Sequence, residues 1–274
     1  MASSTDRPTS GSSVNQQSLI IAHRGASHDA PENTLAAFKL AWEKDADGVE
    51  LDVHMTSDGK LIVSHDEDTK RTAGVEHKIQ ATPLATLQKL DVGSWKDEKY
   101  AGEKMPTLAE VLAVIPKGKL VYIEIKVGAD VVSKVKEDIE GSGINPSQVR
   151  VISFNPEAVK ESREQMPDIK AYLLLSFGSK QVKEAGGLTS EGVIDELKRT
   201  KANGVDLNDS KTVTPKFVDA IKDAGFEYHV WTVNDPEIAE KYEKLGVDSI
   251  TTDRPAFIRD ALNEDASAAT QPAS

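Results

Sequence analysis

The chain has 274 residues, of which 38% are hydrophobic, a size that suits one large barrel or two small domains. Its formal net charge of −12 disfavours non-specific binding to nucleic acid, because an acidic surface repels phosphates. It contains no cysteine, which excludes disulfides, thiolate metal sites and cysteine nucleophiles.

Both ends of the chain lack the apolar periodicity of packed structure. We predict disordered tails at residues 1–17 and 264–274, flanking a folded region at residues 18–263. The N-terminus has neither the basic start nor the apolar core of a signal peptide, and no apolar run approaches the roughly 20 residues that span a bilayer. We therefore expect no stable membrane insertion. The compartment stays open between the cytoplasm and secretion with removal of a signal peptide.

Short apolar runs alternate with stretches of helical spacing through the folded region. The predicted strands are residues 18–23, 47–53, 120–125, 149–153, 169–175, 204–207, 226–233 and 249–252. The predicted helices include residues 31–42, 107–115, 191–199 and 236–245, with others starting after 155, after 214 and at 255. Pro31 suits the first turn of the first helix, because proline is preferred there.

This alternation indicates an α/β fold with a parallel sheet, and eight strand–helix pairs in about 250 residues are typical of the (β/α)8 TIM barrel. An open doubly wound sheet is the alternative, since periodicity does not show closure. Residues 56–104 interrupt the pattern with a long, charged connection between the second strand and its helix. Long connections in compact domains are commonly functional, so we interpret this one as an inserted cap over the active end of the barrel.

Two carboxylates, Glu50 and Asp52, stand two residues apart on the second strand and therefore face the same side. Glu124 and Lys126 repeat this spacing on the next barrel strand. Three carboxylates without cysteine favour a hard divalent cation, Ca²⁺ or Mg²⁺. The alternative is that Glu50 or Asp52 only forms salt bridges with Lys126 or Arg24.

Two histidines, His23 and His65, follow strand-like runs near these acids. Because the pKa of histidine lies near neutrality, such a pair can supply one proton to a leaving alkoxide and remove another from the attacking oxygen. Structural hydrogen bonding for His23 and an exposed loop position for His65 are the alternatives.

Taken together, the motifs resemble those of the glycerophosphodiester phosphodiesterase family in order and spacing. The resemblance covers residues 19–262 and is carried by His23-Arg-Gly25, Pro31-Glu-Asn-Thr34, Asp47-Gly-Val-Glu-Leu-Asp52, Ser64-His-Asp66, Glu124-Ile-Lys126, Trp231-Thr-Val-Asn234 and Thr251-Thr-Asp-Arg-Pro255.

The resemblance implies a role for each matched position. It implies that His23 and His65 are the acid–base pair and that Arg24 and Lys126 hold the phosphate oxygens. It further implies that the metal ligands are Glu50, Asp52 and Glu124. The expected activity is metal-dependent hydrolysis of glycerophosphodiesters, such as glycerophosphocholine and glycerophosphoethanolamine, to glycerol 3-phosphate and an alcohol.

Three further residues are candidates for the pocket or its support. Trp231 either forms a wall of the pocket or fills the barrel top, whereas Glu32 either supports the site or belongs to a plain helix start. His54 shares the predicted face of the acids, and Phe154 reads as packing.

Two other functions are open from the sequence. A lipid-headgroup phosphodiesterase, similar to lysophospholipase D or sphingomyelinase D, is disfavoured because aromatic residues make up only 5% of the chain. A non-catalytic barrel that binds phosphate ligands is disfavoured because no motif position departs from the family pattern.

Overall fold

The computed structural model describes residues 17–179, 182 and 187–269. Within these residues, eight parallel strands close into a barrel, because the first strand pairs with both the second and the last. The barrel strands are β1 (Leu19–Ala22), β2 (Gly48–Met55), β4 (Leu120–Ile125), β5 (Val149–Ser153), β6 (Lys170–Leu175), β7 (Gly204–Asn208), β8 (Glu227–Trp231) and β9 (Ser249–Thr252). A further strand, β3 (Leu61–Val63), pairs antiparallel with the end of β2. The predicted TIM barrel is confirmed.

A helix follows each barrel strand. These helices are α1 (Leu35–Glu43), α4 (Leu108–Leu112), α5 (Val132–Ser142), α6 (Pro156–Gln165), α7 (Ser190–Thr200), α8 (Pro215–Asp223), α9 (Pro236–Lys244) and α10 (Pro255–Ala269). Side-chain caps set several of the starts: Thr107 forms a capping box with Glu110, and Asp235 accepts hydrogen bonds from two backbone N–H groups in the first turn of α9.

The predicted helix start at Pro31 is wrong. Helix α1 begins at Leu35, and Thr34 caps it by accepting a hydrogen bond from the Ala37 N–H at 3.2 Å. Asn33 has φ of 58°, in the left-handed region, and its side-chain amide donates to Asp52 at 2.8 Å. This tertiary contact holds the residues before Thr34 out of the helix.

Alternation along the strands divides the core into two layers. The outward residues of β2, Val49, Leu51 and Val53, pack in one cluster with buried residues of the surrounding helices, such as Phe38 and Val111. A second cluster fills the barrel interior and consists of Ile21, Tyr122, Ile152, Tyr172 and Leu174. The inward positions of β2 hold Glu50 and Asp52, as the period of two predicts.

The insertion between β2 and α4 has an apolar cluster of its own. It contains β3, two short helices, α2 (Lys70–Ala73) and α3 (Leu84–Leu87), and the buried residues Ile62, Ile79, Leu87, Val92 and Met105. Gly59, with φ of 71°, forms the turn between β2 and β3. The insertion is therefore a packed subdomain, and β3 leads the chain directly to His65.

The C-terminal boundary predicted at residue 263 differs from the structure, because α10 continues to Ala269. The added residues include three alanines, the strongest helix former. Of the predicted tails, residues 1–16 and 270–274 lie outside the described residues. Among the helices described, none combines the length and apolarity that a membrane span requires.

Candidate active site

The residues that the sequence singles out for catalysis, phosphate binding and metal binding meet at the carboxyl ends of the first barrel strands. Asp52 pairs with Glu124 across β2 and β4, and β1 pairs with β2, so the polar ends of these strands are neighbours. One pocket is lined by His23, Arg24, Glu50, His65, Glu124 and Lys126. Asp52, 1% exposed, lies beside them. Active sites of TIM barrels occupy this end of the barrel.

Three buried carboxylates form the centre of the site. Glu50, Asp52 and Glu124 each offer one carboxylate oxygen, and these oxygens lie within 4.8 Å of one another. Glu50 Oε1 and Asp52 Oδ1 are buried and accept no hydrogen bond from the part of the chain that the structure describes. An all-oxygen donor set with unsatisfied lone pairs fits a hard divalent cation.

The pKa values of the three carboxyls reflect their crowding. Burial, followed by repulsion from Asp52 and Glu124, raises the pKa of Glu50 well above its usual range. Burial and the charge of Asp52 likewise raise the pKa of Glu124 to about 7. Burial acts in the same direction on Asp52, but Arg24 and Lys126 lower its pKa overall. The local excess of negative charge is what a bound cation would relieve.

Two cations border the acids. Arg24 Nε lies 3.3 Å from Asp52 Oδ2, and Lys126 Nζ lies 2.8 Å from Glu124 Oε1 and 3.4 Å from Asp52 Oδ1. The salt bridges considered as an alternative to metal binding are therefore present, but they leave Glu50 Oε1 unsatisfied. The side chains of Arg24 and Lys126 are 18% and 17% exposed, so both remain accessible to a ligand in the pocket.

A tight turn after β1 places Arg24. Arg24 and Gly25 have φ of 55° and 81°, and the Arg24 N–H donates to Glu50 Oε2 at 2.9 Å. A Cβ atom on Gly25 would lie 2.6 Å from the carbonyl carbon of Ala37. Both the left-handed φ and this close approach require glycine after His23-Arg24.

Each candidate catalytic histidine is held by a carboxylate. His23 Nδ1 lies 2.7 Å from Asp253 Oδ1, and His65 Nδ1 lies 2.7 Å from Asp66 Oδ1. Each carboxylate accepts a hydrogen bond from Nδ1–H, which leaves Nε2 of the neutral imidazole as the basic nitrogen. His23 Nε2 lies 4.0 Å from Glu50 Oε2, next to the acid cluster.

The support of the site includes residues that the sequence interpretation missed. Asp253 also accepts hydrogen bonds from Ser27 Oγ at 3.0 Å and Asn234 Nδ2 at 2.6 Å. Asp66 accepts one from Arg71 Nε at 2.7 Å. The sequence motifs near the site include Asp253 and Asp66, but they do not indicate that these residues hold the two histidines. Arg71 belongs to none of the motifs.

Glu32 and His54, two of the three further candidates from the sequence, form hydrogen bonds with Arg24 and His65, respectively. Glu32 accepts hydrogen bonds from Arg24 at 2.9 Å and from Arg71, so its contacts go beyond those of a plain helix start. His54 is buried, and its Nε2 donates to the backbone carbonyl of His65 at 3.2 Å.

Aromatic residues line the other side of the pocket. Trp231 borders it and packs edge-to-face on Phe154, with ring centroids 5.6 Å apart. Of the two interpretations of Trp231, its lining position favours the wall. Phe154, interpreted from the sequence as packing, is 46% exposed and also lines the pocket.

A larger cavity of about 880 Å³ opens at the opposite end of the barrel. It is lined by residues such as Arg150, Lys170 and His229, and by none of the candidate site residues among those the structure describes. The larger of the two cavities is therefore not the one that the candidate site residues line.

Comparisons with known proteins identify the family of the chain. A family model described as the glycerophosphoryl diester phosphodiesterase family matches residues 23–257. The chain belongs to this family. The predicted family and the predicted enzyme class, a glycerophosphodiester phosphodiesterase, are thereby confirmed.

Relatives and solved structures of the family cover almost the whole chain. A glycerophosphodiester phosphodiesterase of Caldanaerobacter subterraneus is 38% identical over 87% of this chain and 95% of its own length. A glycerophosphodiester phosphodiesterase of Bacillus subtilis is 34% identical over 86% of this chain and 84% of its own. The structure of an Oleispira antarctica phosphodiesterase in complex with the product sn-glycerol-3-phosphate has a TM-score of 0.79, with 29% identity over 90% of this chain and 97% of that one.

Proposed function

We propose that this chain hydrolyses glycerophosphodiesters, such as glycerophosphocholine and glycerophosphoethanolamine, to glycerol 3-phosphate and the free alcohol. In this proposal His23 and His65 are the acid–base pair, and Arg24 and Lys126 hold the phosphate. The observation that carries it is the presence, in one pocket, of two imidazoles with carboxylate-bound Nδ1 atoms beside a cluster of three buried acids.

Glu50, Asp52 and Glu124 would hold a divalent cation, Ca²⁺ or Mg²⁺. The unsatisfied oxygens of Glu50 and Asp52 support this assignment, as does the absence of thiolate ligands from the sequence. When bound, such a cation supplies Lewis-acid stabilisation of the charge that gathers on the phosphoryl oxygens.

The residues of the chain supply binding and proton transfer. The guanidinium of Arg24 and the ammonium of Lys126 neutralise charge on the phosphate in the transition state. One imidazole removes the proton of the attacking oxygen at its Nε2, and the other donates its Nε2 proton to the departing alkoxide. Asp253 and Asp66 stabilise the imidazolium form of each histidine in turn. The attacking oxygen comes from water or from a neighbouring glycerol hydroxyl.

The test is release of glycerol 3-phosphate from a panel of glycerophosphodiesters, measured in EDTA and after addition of each cation. Activity should disappear in EDTA and return with Ca²⁺ or Mg²⁺.

His23→Ala and His65→Ala should each lower kcat by about 10² to 10⁴, the usual contribution of general acid–base catalysis, and should still bind the cation. His28→Ala is the control, since His28 is half exposed and pairs with Asp29. Full activity in excess EDTA would refute the metal role, and near-normal turnover of either variant would refute the acid–base pair.

The same panel separates the two alternatives. Lysophospholipid cleaved faster than its deacylated counterpart would favour a lipid-headgroup phosphodiesterase. Binding of the panel without turnover under any cation would favour a non-catalytic barrel.

A further inference from the structure

One acidic residue of the pocket has no place in the proposed catalytic set. Asp206 lies on β7, four strands away from β2 in either direction around the eight-stranded ring, and therefore across the barrel from Glu50 and Asp52. It lines the same pocket as the two histidines. It is not among the residues whose oxygens form the three-carboxylate cluster.

The Asp206 carboxyl is buried, and one of its oxygens has no hydrogen-bond partner in the part of the chain that the structure describes. The residue is 1% exposed, and its Oδ1 accepts no hydrogen bond from any described residue. Within the described part of the chain, it forms no ion pair with Arg24 or Lys126, which are engaged by the acids across the barrel. An unpaired carboxyl in such a place destabilises the fold, and an apolar residue would pack there at lower cost. The barrel therefore holds an acceptor that a ligand can satisfy.

The surroundings of Asp206 are apolar and aromatic. Ile152 and Leu174 belong to the interior cluster, and they line the pocket together with Phe154 and Trp231. Trp231 Nε1 donates to the backbone carbonyl of Asp206 at 3.2 Å, so its indole stands directly beside this residue. Aromatic rings beside a carboxylate form a favourable environment for an organic cation.

We propose that Asp206, with Trp231 and Phe154, forms the subsite for the alcohol part of the diester and selects alcohols that carry a primary ammonium group, of the ethanolamine type. This inference rests on the proposed function, in which Arg24 and Lys126 hold the phosphate on the opposite side of the pocket. The alcohol then extends across the barrel towards β7. Burial, followed by the charge of Glu124, raises the pKa of Asp206 well above its usual range, and an ammonium group bound beside this carboxyl would lower that pKa again. A primary ammonium brings both a positive charge and N–H donors to the carboxylate, whereas a quaternary ammonium has no donor and a hydroxyl has no charge.

The experiment compares kcat/KM for glycerophosphoethanolamine, glycerophosphocholine and glycerophosphoglycerol in the full chain with the activating cation. Wild type should prefer the ethanolamine ester. In Asp206→Asn the ratio of kcat/KM for the ethanolamine ester to that for the glycerol ester should fall about 10- to 100-fold, as expected for loss of a charged hydrogen bond. Asp195→Asn, at an exposed position of α7, is the matched control and should keep the wild-type ratio.

A second measurement uses wild type alone and does not depend on how the variants fold. Free ethanolamine should inhibit hydrolysis of glycerophosphoglycerol competitively, at lower concentration than choline or ethylene glycol. The inference is overturned if the substrate ratio in Asp206→Asn stays within threefold of wild type, or if the three alcohols inhibit equally. Glu50→Gln separates this inference from the proposed function: it should lower turnover of all three esters together, whereas Asp206→Asn should act on their ratio.

Discussion

Asp253 and Asp66 give the two candidate catalytic imidazoles the same orientation. Each carboxylate binds Nδ1 at 2.7 Å and so leaves Nε2 for the reaction. Burial opposes ionisation of Asp253, but its hydrogen bond to His23 and those from Asn234 and Ser27 lower its pKa to about 2. Asp253 is therefore ionised at any pH at which the enzyme would work.

We predict that Asp253→Asn lowers kcat at least tenfold while the fold persists. The amide can donate a hydrogen bond to Nδ1, which stabilises the imidazole tautomer that carries its proton on Nε2, so that Nε2 is no longer basic. The neutral amide also no longer stabilises the imidazolium form of His23. Steady-state kinetics should show the loss in kcat, and the pH–rate profile should shift, which a purely structural defect would not cause. Asp138→Asn is the control, because Asp138 pairs with Lys134 on α5. A kcat within threefold of wild type and an unmoved profile would contradict this role for Asp253.

One arginine on the first helix of the insertion connects the insertion to the candidate site. Arg71 on α2 donates to both oxygens of Glu32, at 2.7 and 2.8 Å, and to Asp66 at 2.7 Å. Glu32 in turn accepts from Arg24, so the insertion is linked to both a candidate phosphate ligand and the partner of His65.

We predict that Arg71→Ala lowers kcat about tenfold and lowers the free energy of unfolding by about 1 kcal/mol or less. The catalytic loss follows from misplacement of His65 and Arg24, since small displacements of catalytic groups are costly. The stability loss is small because Arg71 is 43% exposed and its ion pairs are screened by solvent. Turnover and thermal denaturation should be compared with those of Lys70→Ala on the same helix. Among the described residues, the Lys70 ammonium reaches only the Gly74 carbonyl, at 3.4 Å. Unchanged kcat would show that this link does not position the site.

Local patterns in the sequence predict the strands, the order of the helices and the inward face of Glu50 and Asp52, because these depend on alternation within one element. The start of α1 was not predictable in this way, since Asn33 is drawn out of the helix by Asp52, 19 residues later. The pairing of His23 with Asp253 spans 230 residues. Such contacts depend on closure of the barrel, which periodicity does not encode.

In the molecule as a whole, the end of the barrel that holds the candidate site lowers the free energy of unfolding. At the opposite end, Tyr172 and His229 pack with ring centroids 4.1 Å apart beside the larger cavity, whereas the end that holds the candidate site buries three acids near one another. Burying like charges is unfavourable unless a cation compensates them. The free energy of unfolding should therefore depend on both pH and divalent cations.

We predict that, in EDTA, the free energy of unfolding of wild type falls as pH rises from about 4.5 to about 7. The pKa of Glu124 is raised from 4.5 to about 7 in the folded chain, so the folded state holds this proton more tightly than the unfolded state, and that advantage is lost as pH rises through the folded pKa. Divalent cations compete with protons for the same oxygens, so the gain in Tm from Ca²⁺ or Mg²⁺ should grow over the same range.

Thermal denaturation between about pH 5 and pH 8, with and without each cation, checks this prediction. Glu124→Gln is the matched control, because it keeps the shape of the side chain and removes both the ionisation and one candidate metal ligand. Its Tm in EDTA should decline less with pH than that of wild type, and its gain from the cation should be smaller. An equal increase in Tm on addition of the cation in both proteins at each pH would contradict a metal site that includes Glu124. A ligand that binds only the native state stabilises it more when its affinity is higher, so loss of a metal ligand must reduce the increase.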